Sequence, residues 1–168
     1  MQQVGVNSVR VEGGVLAELY AAHAADALRL AYLLTGDNSQ AEDLVQDAFV
    51  RVAGRLVHLR DPAGFRAYLR TSVVNLARSQ FRRRKLERRY SQAQPPPSPV
   101  AGPDMSEREQ MRRALVALPV RQRLAVVLRY YEDLSEAQTA ELMHCGTGAV
   151  NSLVSRAMAS LRSTIGED

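Results

Sequence analysis

Apolar side chains recur every three or four positions through most of the chain, which is the spacing of helices that bury one face. In the N-terminal half this spacing predicts three helices: one at about residues 15–34, one at about 39–57, and one from Pro62 into a basic stretch. Residues 1–13 are polar and show no period, so we expect a frayed lead-in there.

Turn and cap residues set the expected ends of these helices. Gly36, in the segment Thr-Gly-Asp-Asn, is predicted to form a left-handed C-cap after the first helix. Ser39 followed by Glu42 has the spacing of a capping box for the second helix. Asp61 before Pro62 places a good N-cap ahead of a proline at the first helical position.

The C-terminal half predicts a second helical block. Residues 91–106 contain five of the seven prolines and almost no large apolar side chain, so they are predicted to be an extended linker. Beyond it, helices flank Pro119, Ser135 and Gln138 form a capping box for a short helix, and a last helix follows at about 147–163. A short helix, a tight turn and a longer helix are typical of a helix-turn-helix.

The fold class predicted from these elements is all-α, with no β-hairpin signal in the sequence. We expect two small helical domains, a three-helix bundle at residues 14–90 and a helix-turn-helix domain at residues 107–165, joined by the Pro-rich linker.

Composition narrows the class of protein further. The 168 residues include one Cys and three His, so an internal disulfide is impossible and a structural zinc site is not expected. The sequence shows no leader and no apolar run near the roughly 18 residues of a membrane span, which favours the cytoplasm. We expect no metal and no cofactor.

Positive charge is concentrated in one segment. Residues 66–89 hold nine basic side chains and one acidic side chain, although the whole chain has a net charge of only +4. Phe65, Tyr68, Phe81 and Tyr90 lie within or beside this stripe, and aromatic rings among basic groups suit a single strand whose bases can stack. A solvated helix face is the alternative interpretation.

The predicted last helix carries side chains suited to binding duplex DNA. In a helix-turn-helix the second helix enters the major groove, where Asn151, Ser152 and Ser155 would reach base edges. Arg156 and Arg162 could contact phosphates or guanine. An ordinary α-hairpin within a bundle remains the alternative from this segment alone.

Four segments in order resemble a known family: AEDLVQDAFVRV (41–52), FRAYLRTSVVNLARSQFRRRK (65–85), LPVRQRLAVVLRYYEDLSEAQTAELM (118–143) and GAVNSLVSRAMASLR (148–162). Together they are similar to the extracytoplasmic-function group of sigma-70 factors, with the actinobacterial SigE-like members the most similar. The resemblance covers about residues 14–165. It implies region 2 before the linker, region 4 after it, and no catalysis by the chain itself.

The resemblance also implies binding surfaces. The second helix would dock on the clamp helices of core RNA polymerase through Asp43, Gln46 and Asp47, which helical spacing places on one surface away from the apolar stripe. The third helix and the loop at His58 to Gly64 would hold the melted minus-ten strand. The matching residues are Arg66, Tyr68, Arg70, Asn75, Arg78, Arg82, Arg83 and Arg84. Phe65 is better explained as a core residue, and Tyr68 could be either.

Region 4 would read the minus-35 element and meet the polymerase flap. The residues implied in DNA binding are Thr147, Asn151, Ser152, Ser155 and Arg156. Typical members carry Lys, and often Arg or Gln, where this chain has Asn151 and Leu153, and usually Gly where it has His144. The hypothesis that follows is that promoter choice depends mainly on region 2.

Several rival functions remain at this point. A stand-alone helix-turn-helix regulator would leave the Asp43-Gln46-Asp47 surface unexplained, and a small recombinase or nuclease would need clustered carboxylates or an organised nucleophile, which the sequence does not show. A degenerate sigma-like protein that binds polymerase but initiates poorly is a further alternative.

Expected partners are core RNA polymerase and promoter DNA. The sequence leaves open whether an anti-sigma protein exists.

Overall fold

A computed structural model describes the backbone of residues 5–55, 62–91 and 106–166, and the side chains of residues 14–55, 64–91 and 106–166. Within these ranges the chain is helical and contains no strand, as the sequence predicts. The elements are α1 Gly5–Thr35, α2 Asn38–Ala53, α3 Pro62–Ser91, α4 Glu107–Ala117, α5 Val120–Val126 continued by a π-helical segment Val127–Tyr131, α6 Glu136–Met143 and α7 Thr147–Ile165.

Helix α1 is longer at its N-terminus than predicted. It begins at Gly5, so the expectation of a frayed lead-in is wrong for residues 5–13. Its C-terminal end agrees with the prediction, because Gly36 has a φ of 72° and terminates the helix in the left-handed conformation. The Gly36 amide donates to the Tyr32 carbonyl oxygen at 2.7 Å.

Helix α2 begins with a different cap from the predicted one. The N-cap is Asp37, whose side chain accepts a hydrogen bond from the Gln40 amide at 2.8 Å, so the capping box at Ser39 and Glu42 is wrong. Asp37 takes this role because it directly follows the left-handed turn at Gly36, and its extended backbone redirects the chain into the helix. The helix ends at Ala53, four residues before the predicted end.

The N-terminal domain is a bundle of α1, α2 and α3. Helix α3 begins at Pro62 as predicted, while Asp61 and residues 56–60 lie outside the described residues. The bundle core contains Phe65, Leu34 and Val73, each at most 1% exposed, and the rings of Phe49 and Phe65 lie 5.9 Å apart. Phe65 is thus the core residue that the sequence favoured.

The C-terminal domain contains the predicted helix-turn-helix in α6 and α7. Ser135 and Gln138 form the capping box of α6, with both reciprocal hydrogen bonds present. His144 closes α6 with a φ of 51°, taking the left-handed position where Gly is usual. Gly146 is the N-cap of α7 and supplies no side-chain hydrogen bond.

The two domains pack against each other and share one apolar core. Leu124, Val127 and Leu128 of the C-terminal domain belong to the same cluster of buried residues as Leu34 and Val73. The sequence pattern predicts the two domains but not this packing. We call the contact of α1 and α3 with the segment from α4 to α6 the interdomain interface.

A buried arginine joins the helix ends at this interface. The Arg123 guanidinium donates to the carbonyl oxygens of Leu34 at 2.6 Å, Val116 at 2.7 Å and Leu118 at 3.2 Å. These carbonyls lie at the C-terminal ends of α1 and α4, where the helix dipoles favour a cation. Burial lowers the pKa of Arg123, which has no carboxylate among its described partners.

Within the described ranges, no helix combines the length and the apolar character that crossing a bilayer requires.

Candidate polymerase and nucleic-acid interfaces

An acidic row lies on the solvent side of α2. Asp43, Gln46 and Asp47 are all exposed, while the opposite face of the helix buries Leu44, Val45, Ala48, Phe49 and Val52. The spacing of three and four residues makes the three polar side chains neighbours on one surface. The structure therefore brings together the residues that the sequence selected, in an arrangement that a basic helix could approach.

An exposed apolar side chain extends this acidic row. Val50 follows Gln46 by four residues and Asp47 by three, and 73% of its surface is accessible. It borders a shallow apolar groove between α1 and α2, lined by Leu16, Ala17, Tyr20, Phe49, Val50 and Ala53. The sequence analysis did not select Val50. Its separation from the buried stripe of α2 by the helical period is the signal that could have found it.

The basic face of α3 contains the predicted minus-ten residues. Asn75 is exposed on the middle of the helix, and Arg66, nine residues earlier in the first turns of the helix, is also exposed. Tyr68 is half-buried, packs against the core, and accepts a hydrogen bond from Arg55 through its hydroxyl. Tyr68 thus combines a packing role with an accessible edge.

The arginines near the end of α3 differ in their surroundings. Arg82 and Arg83 are exposed, and Arg83 pairs with Glu87 at 3.7 Å in an arrangement open to solvent. Arg84 donates to the Gln40 side-chain oxygen at 2.6 Å and so contacts the first turn of α2. The end of α3 presents a cationic surface that a phosphate backbone could follow.

Two further predicted minus-ten arginines are held by the C-terminal domain. Arg70 approaches the carboxylate of Glu132 at 3.5 Å, and only 8% of the Glu132 side chain is exposed. Arg78 donates to the Leu142 carbonyl oxygen at 3.2 Å, at the end of α6. Burial, and then the nearby charges of Arg82 and Arg121, lower the pKa of Arg78.

The face of α7 that is predicted to enter the DNA major groove is exposed. This face presents Thr147, Asn151, Ser152, Ser155 and Arg156, and the opposite face buries Val150, Ala157 and Leu161. The Asn151 amide donates to the Glu136 carboxylate at 3.2 Å, which links α7 to α6. Leu153 packs against the core, so at that position this chain has an apolar contact in place of a polar side chain.

The loop that the sequence assigned to the minus-ten element lies largely outside the residues that the structure describes. Of His58 to Gly64, residues 58–61 are not among the described residues, and Pro62 to Gly64 form the first turn of α3.

Comparisons with known proteins agree with this arrangement. Residues 19–87 match the sigma-70 region 2 family, and residues 108–161 match the sigma-70 region 4 family. The RNA polymerase sigma-E factor of Streptomyces coelicolor is 36% identical over 80% of this chain and 77% of its own length. The ECF RNA polymerase sigma factor SigM of Mycobacterium tuberculosis is 30% identical over 89% of this chain and 76% of its own length.

A solved structure has the same fold. The sigma factor RpoE from Bartonella quintana, crystallised in complex with the anti-sigma factor NepR, matches with a TM-score of 0.72 and 24% identity, over 90% of this chain and 97% of that one.

An all-α chain with a bundle of the region 2 family and a helix-turn-helix of the region 4 family is a sigma-70 factor. The identities with sigma-E and SigM place the chain in the extracytoplasmic-function group, so it is a promoter-recognition factor, as the sequence predicted.

Proposed function

We propose that the chain binds core RNA polymerase through the acidic row of α2, holds the melted minus-ten strand on α3, and reads minus-35 duplex with α7. The chain supplies no catalytic step, because polymerisation belongs to the core enzyme. Transcription takes place in the cytoplasm, and we propose that compartment for the chain. The domain limits of 14–90 and 107–165 are part of this proposal.

The exposed acidic row carries the proposal. Helix α2 needs its apolar stripe to fold, but nothing within the described domain requires Asp43, Gln46 and Asp47 to share the opposite surface. Two carboxylates flanking an amide complement a partner helix that presents Arg or Lys, such as one of the polymerase clamp helices. A stand-alone DNA-binding regulator would have no use for this surface.

The composition of α3 supports binding of a single strand. Arg66, Arg82 and Arg83 can neutralise phosphates, and Asn75 offers both a donor and an acceptor to a base edge. Binding an unstacked base offsets part of the cost of opening the duplex, which is about a few kcal/mol for each flipped base. Favourable strand binding therefore promotes melting without ATP.

The geometry of α6 and α7 supports duplex binding at the minus-35 element. The side chains of Asn151, Ser152 and Ser155 are short and uncharged, so they can read base edges but cannot reach far along the phosphate backbone. Arg156 is the long cationic residue of this exposed face. We propose that this domain also contacts the polymerase flap.

An anti-sigma protein is a further proposed partner. The fold is shared with a sigma factor that was crystallised with an anti-sigma factor, and the exposed row on α2 and the basic face of α3 offer such a protein charged surfaces to cover. Covering both would block polymerase and DNA together.

A binding experiment with matched charge reversals tests the central part of this proposal. Asp47→Lys should weaken binding to purified actinobacterial core polymerase by about tenfold or more, because it places a like charge against a basic partner. Glu18→Lys makes the same charge change at an exposed position of α1, outside the acidic row, and should bind as the wild type does. Equal affinities for the two variants would contradict the assigned surface.

A further inference from the structure

A side-chain contact joins α7 to the start of α6 on the exposed side of the helix-turn-helix. The Nδ2 amide of Asn151 donates to the Oε2 oxygen of Glu136 at 3.2 Å, although the two residues lie 15 positions apart in the chain. Both side chains are exposed. The contact therefore lies on the surface that is proposed to meet minus-35 duplex, and not in the core.

This contact determines which end of the Asn151 amide faces α6. An ionised carboxylate only accepts hydrogen bonds, so the amide nitrogen, and not the carbonyl oxygen, must face Glu136. One N–H is used in this way, which leaves the Oδ1 oxygen and the second N–H of Asn151 for another partner. Without Glu136 the amide could rotate and present either end to that partner.

The backbone at both ends of the contact is held in place. Ser135 and Gln138 form the capping box around Glu136, with both reciprocal hydrogen bonds present. Val150, the chain neighbour of Asn151, is fully buried. The two side chains therefore extend from ordered positions, so their hydrogen bond costs less conformational entropy than one between two mobile segments.

We infer that Glu136 is a positioning residue for Asn151: it holds the amide so that the free carbonyl oxygen and N–H of Asn151 select adenine in the minus-35 element. An asparagine amide accepts a hydrogen bond from adenine N6 and donates one to adenine N7, which requires these two groups together. The inference rests on the proposed reading of duplex by α7.

The negative charge of Glu136 is unfavourable for DNA binding in general. A carboxylate beside the duplex repels the phosphate backbone and weakens binding to every sequence. The dipole of α6 favours an acidic side chain in the first turn, which explains a carboxylate at Glu136 but not its contact with Asn151. On this account Glu136 lowers the affinity for all sequences while it raises the discrimination between them.

Two substitutions at Glu136 separate its charge from its hydrogen bond. Holoenzyme assembled from core polymerase and the full chain selects binders from a promoter duplex library randomised across the minus-35 element, and sequencing gives the preference for each base. Glu136→Ala removes both charge and acceptor, so the preference for adenine at one position should fall by about threefold, the effect of one hydrogen bond. Glu136→Gln removes the charge but keeps an acceptor oxygen, so that preference should be retained.

Overall affinity and a matched control complete this test. Both Glu136 variants should bind the unselected library more tightly than the wild type, because each removes one negative charge. Glu141→Ala makes the same charge change at an exposed position about 140° further around α6 and should keep the base preferences of the wild type. An adenine preference that is equal in Glu136→Ala and the wild type would overturn the inference, and so would an equal loss in Glu136→Ala and Glu136→Gln.

Asn151→Ala distinguishes failure of this inference from failure of the proposed function. It should abolish the adenine preference at the position that Glu136→Ala weakens, because both substitutions act on the same amide. If Asn151→Ala loses the preference and Glu136→Ala keeps it, Asn151 reads the base and only the positioning role is removed. An Asn151→Ala profile equal to that of the wild type would overturn the inference as well. A wild-type holoenzyme with no base preference across the minus-35 element would remove the reading of duplex by α7, and the inference with it.

Discussion

Arg123 and Leu34 lie 89 positions apart in the chain, and the Arg123 guanidinium donates to the Leu34 carbonyl oxygen at 2.6 Å. Through its two other carbonyl partners the same side chain also closes the turn between α4 and α5. One buried cation thus satisfies the C-terminal ends of a helix in each domain. Loss of this side chain would therefore leave backbone carbonyl groups of both domains without a donor.

Replacing Arg123 by Met should destabilise the chain. The variant leaves the carbonyl oxygens of Leu34, Val116 and Leu118 without this donor, at a cost of about 1–3 kcal/mol. Urea denaturation of Arg123→Met should show a lower midpoint than the wild type. Arg121→Met removes an exposed arginine from the same helix and should leave the midpoint nearly unchanged. An unchanged midpoint for Arg123→Met would refute this role.

Gly36 should tolerate no side chain. Its φ is 72°, and a methyl group added to it would lie 2.5 Å from Val116 Cγ2 across the interdomain interface. Gly36→Ala should therefore cost about 1–2 kcal/mol through backbone strain and displacement of α4. Gly54→Ala is the control, because that glycine is right-handed and its nearest neighbour would be 3.7 Å away. Thermal unfolding of both variants measures the difference, and equal melting temperatures would contradict it.

Stability should fall in acid partly through Glu109. Hydrogen bonds from Arg112, together with that from Arg113, lower the pKa of Glu109 from 4.5 to about 2. Because the folded state holds this carboxylate ionised, its contribution is complete above about pH 4.5 and is lost as the pH falls toward 2. Wild type and Glu109→Gln should differ in urea midpoint at pH 7 and converge near pH 2. A gap that stays constant with pH would exclude this linkage.

Val50 should contribute to polymerase binding. An apolar side chain that is 73% exposed beside the acidic row gains about 1 kcal/mol if a partner covers it, which corresponds to about fivefold in affinity. Val50→Ser should weaken binding to core polymerase by that factor. Val15→Ser makes the same substitution at a partly exposed site of α1 outside the acidic row and should have no effect. Loss of affinity in the control alone, or in neither variant, would argue against Val50.

Promoter binding should depend more on Asn75 than on Arg156. Helix α7 presents short polar side chains at Asn151, Ser152 and Ser155, so few long cationic side chains of this helix can contact DNA phosphates. Asn75→Ala should cost the holoenzyme about 1–3 kcal/mol at a promoter selected from a genomic library, whereas Arg156→Ala should mainly reduce the salt slope by about one unit. Equal losses of footprint would contradict a leading role for region 2.

The sequence predicted the elements whose signals are local. The Ser135–Gln138 capping box, the left-handed Gly36 and Pro62 at the start of α3 all depend on a few adjacent residues, and the structure has each of them. The cap of α2 was misplaced, because Asp37 and Ser39 are both good caps and only the chain direction after Gly36 selects Asp37.

Contacts between distant segments could not be predicted in this way. Arg123 lies in the polar segment Arg-Gln-Arg, where pattern alone suggests an exposed side chain, yet it is 7% exposed. The partners of Arg70 and Arg78 are likewise more than 60 positions away. The candidate surfaces were predictable as faces of helices, whereas the contacts of Arg70 and Arg78 with the C-terminal domain depend on tertiary packing.

In-vitro transcription is the measurement that tests the central claim most directly. Purified core polymerase from an actinobacterium is supplied with a genomic promoter library, with and without this chain. We expect transcripts that depend on the chain, share an upstream motif, and decrease with Asp47→Lys but not with Glu18→Lys. A folded chain that yields no dependent transcript from any promoter would contradict the account.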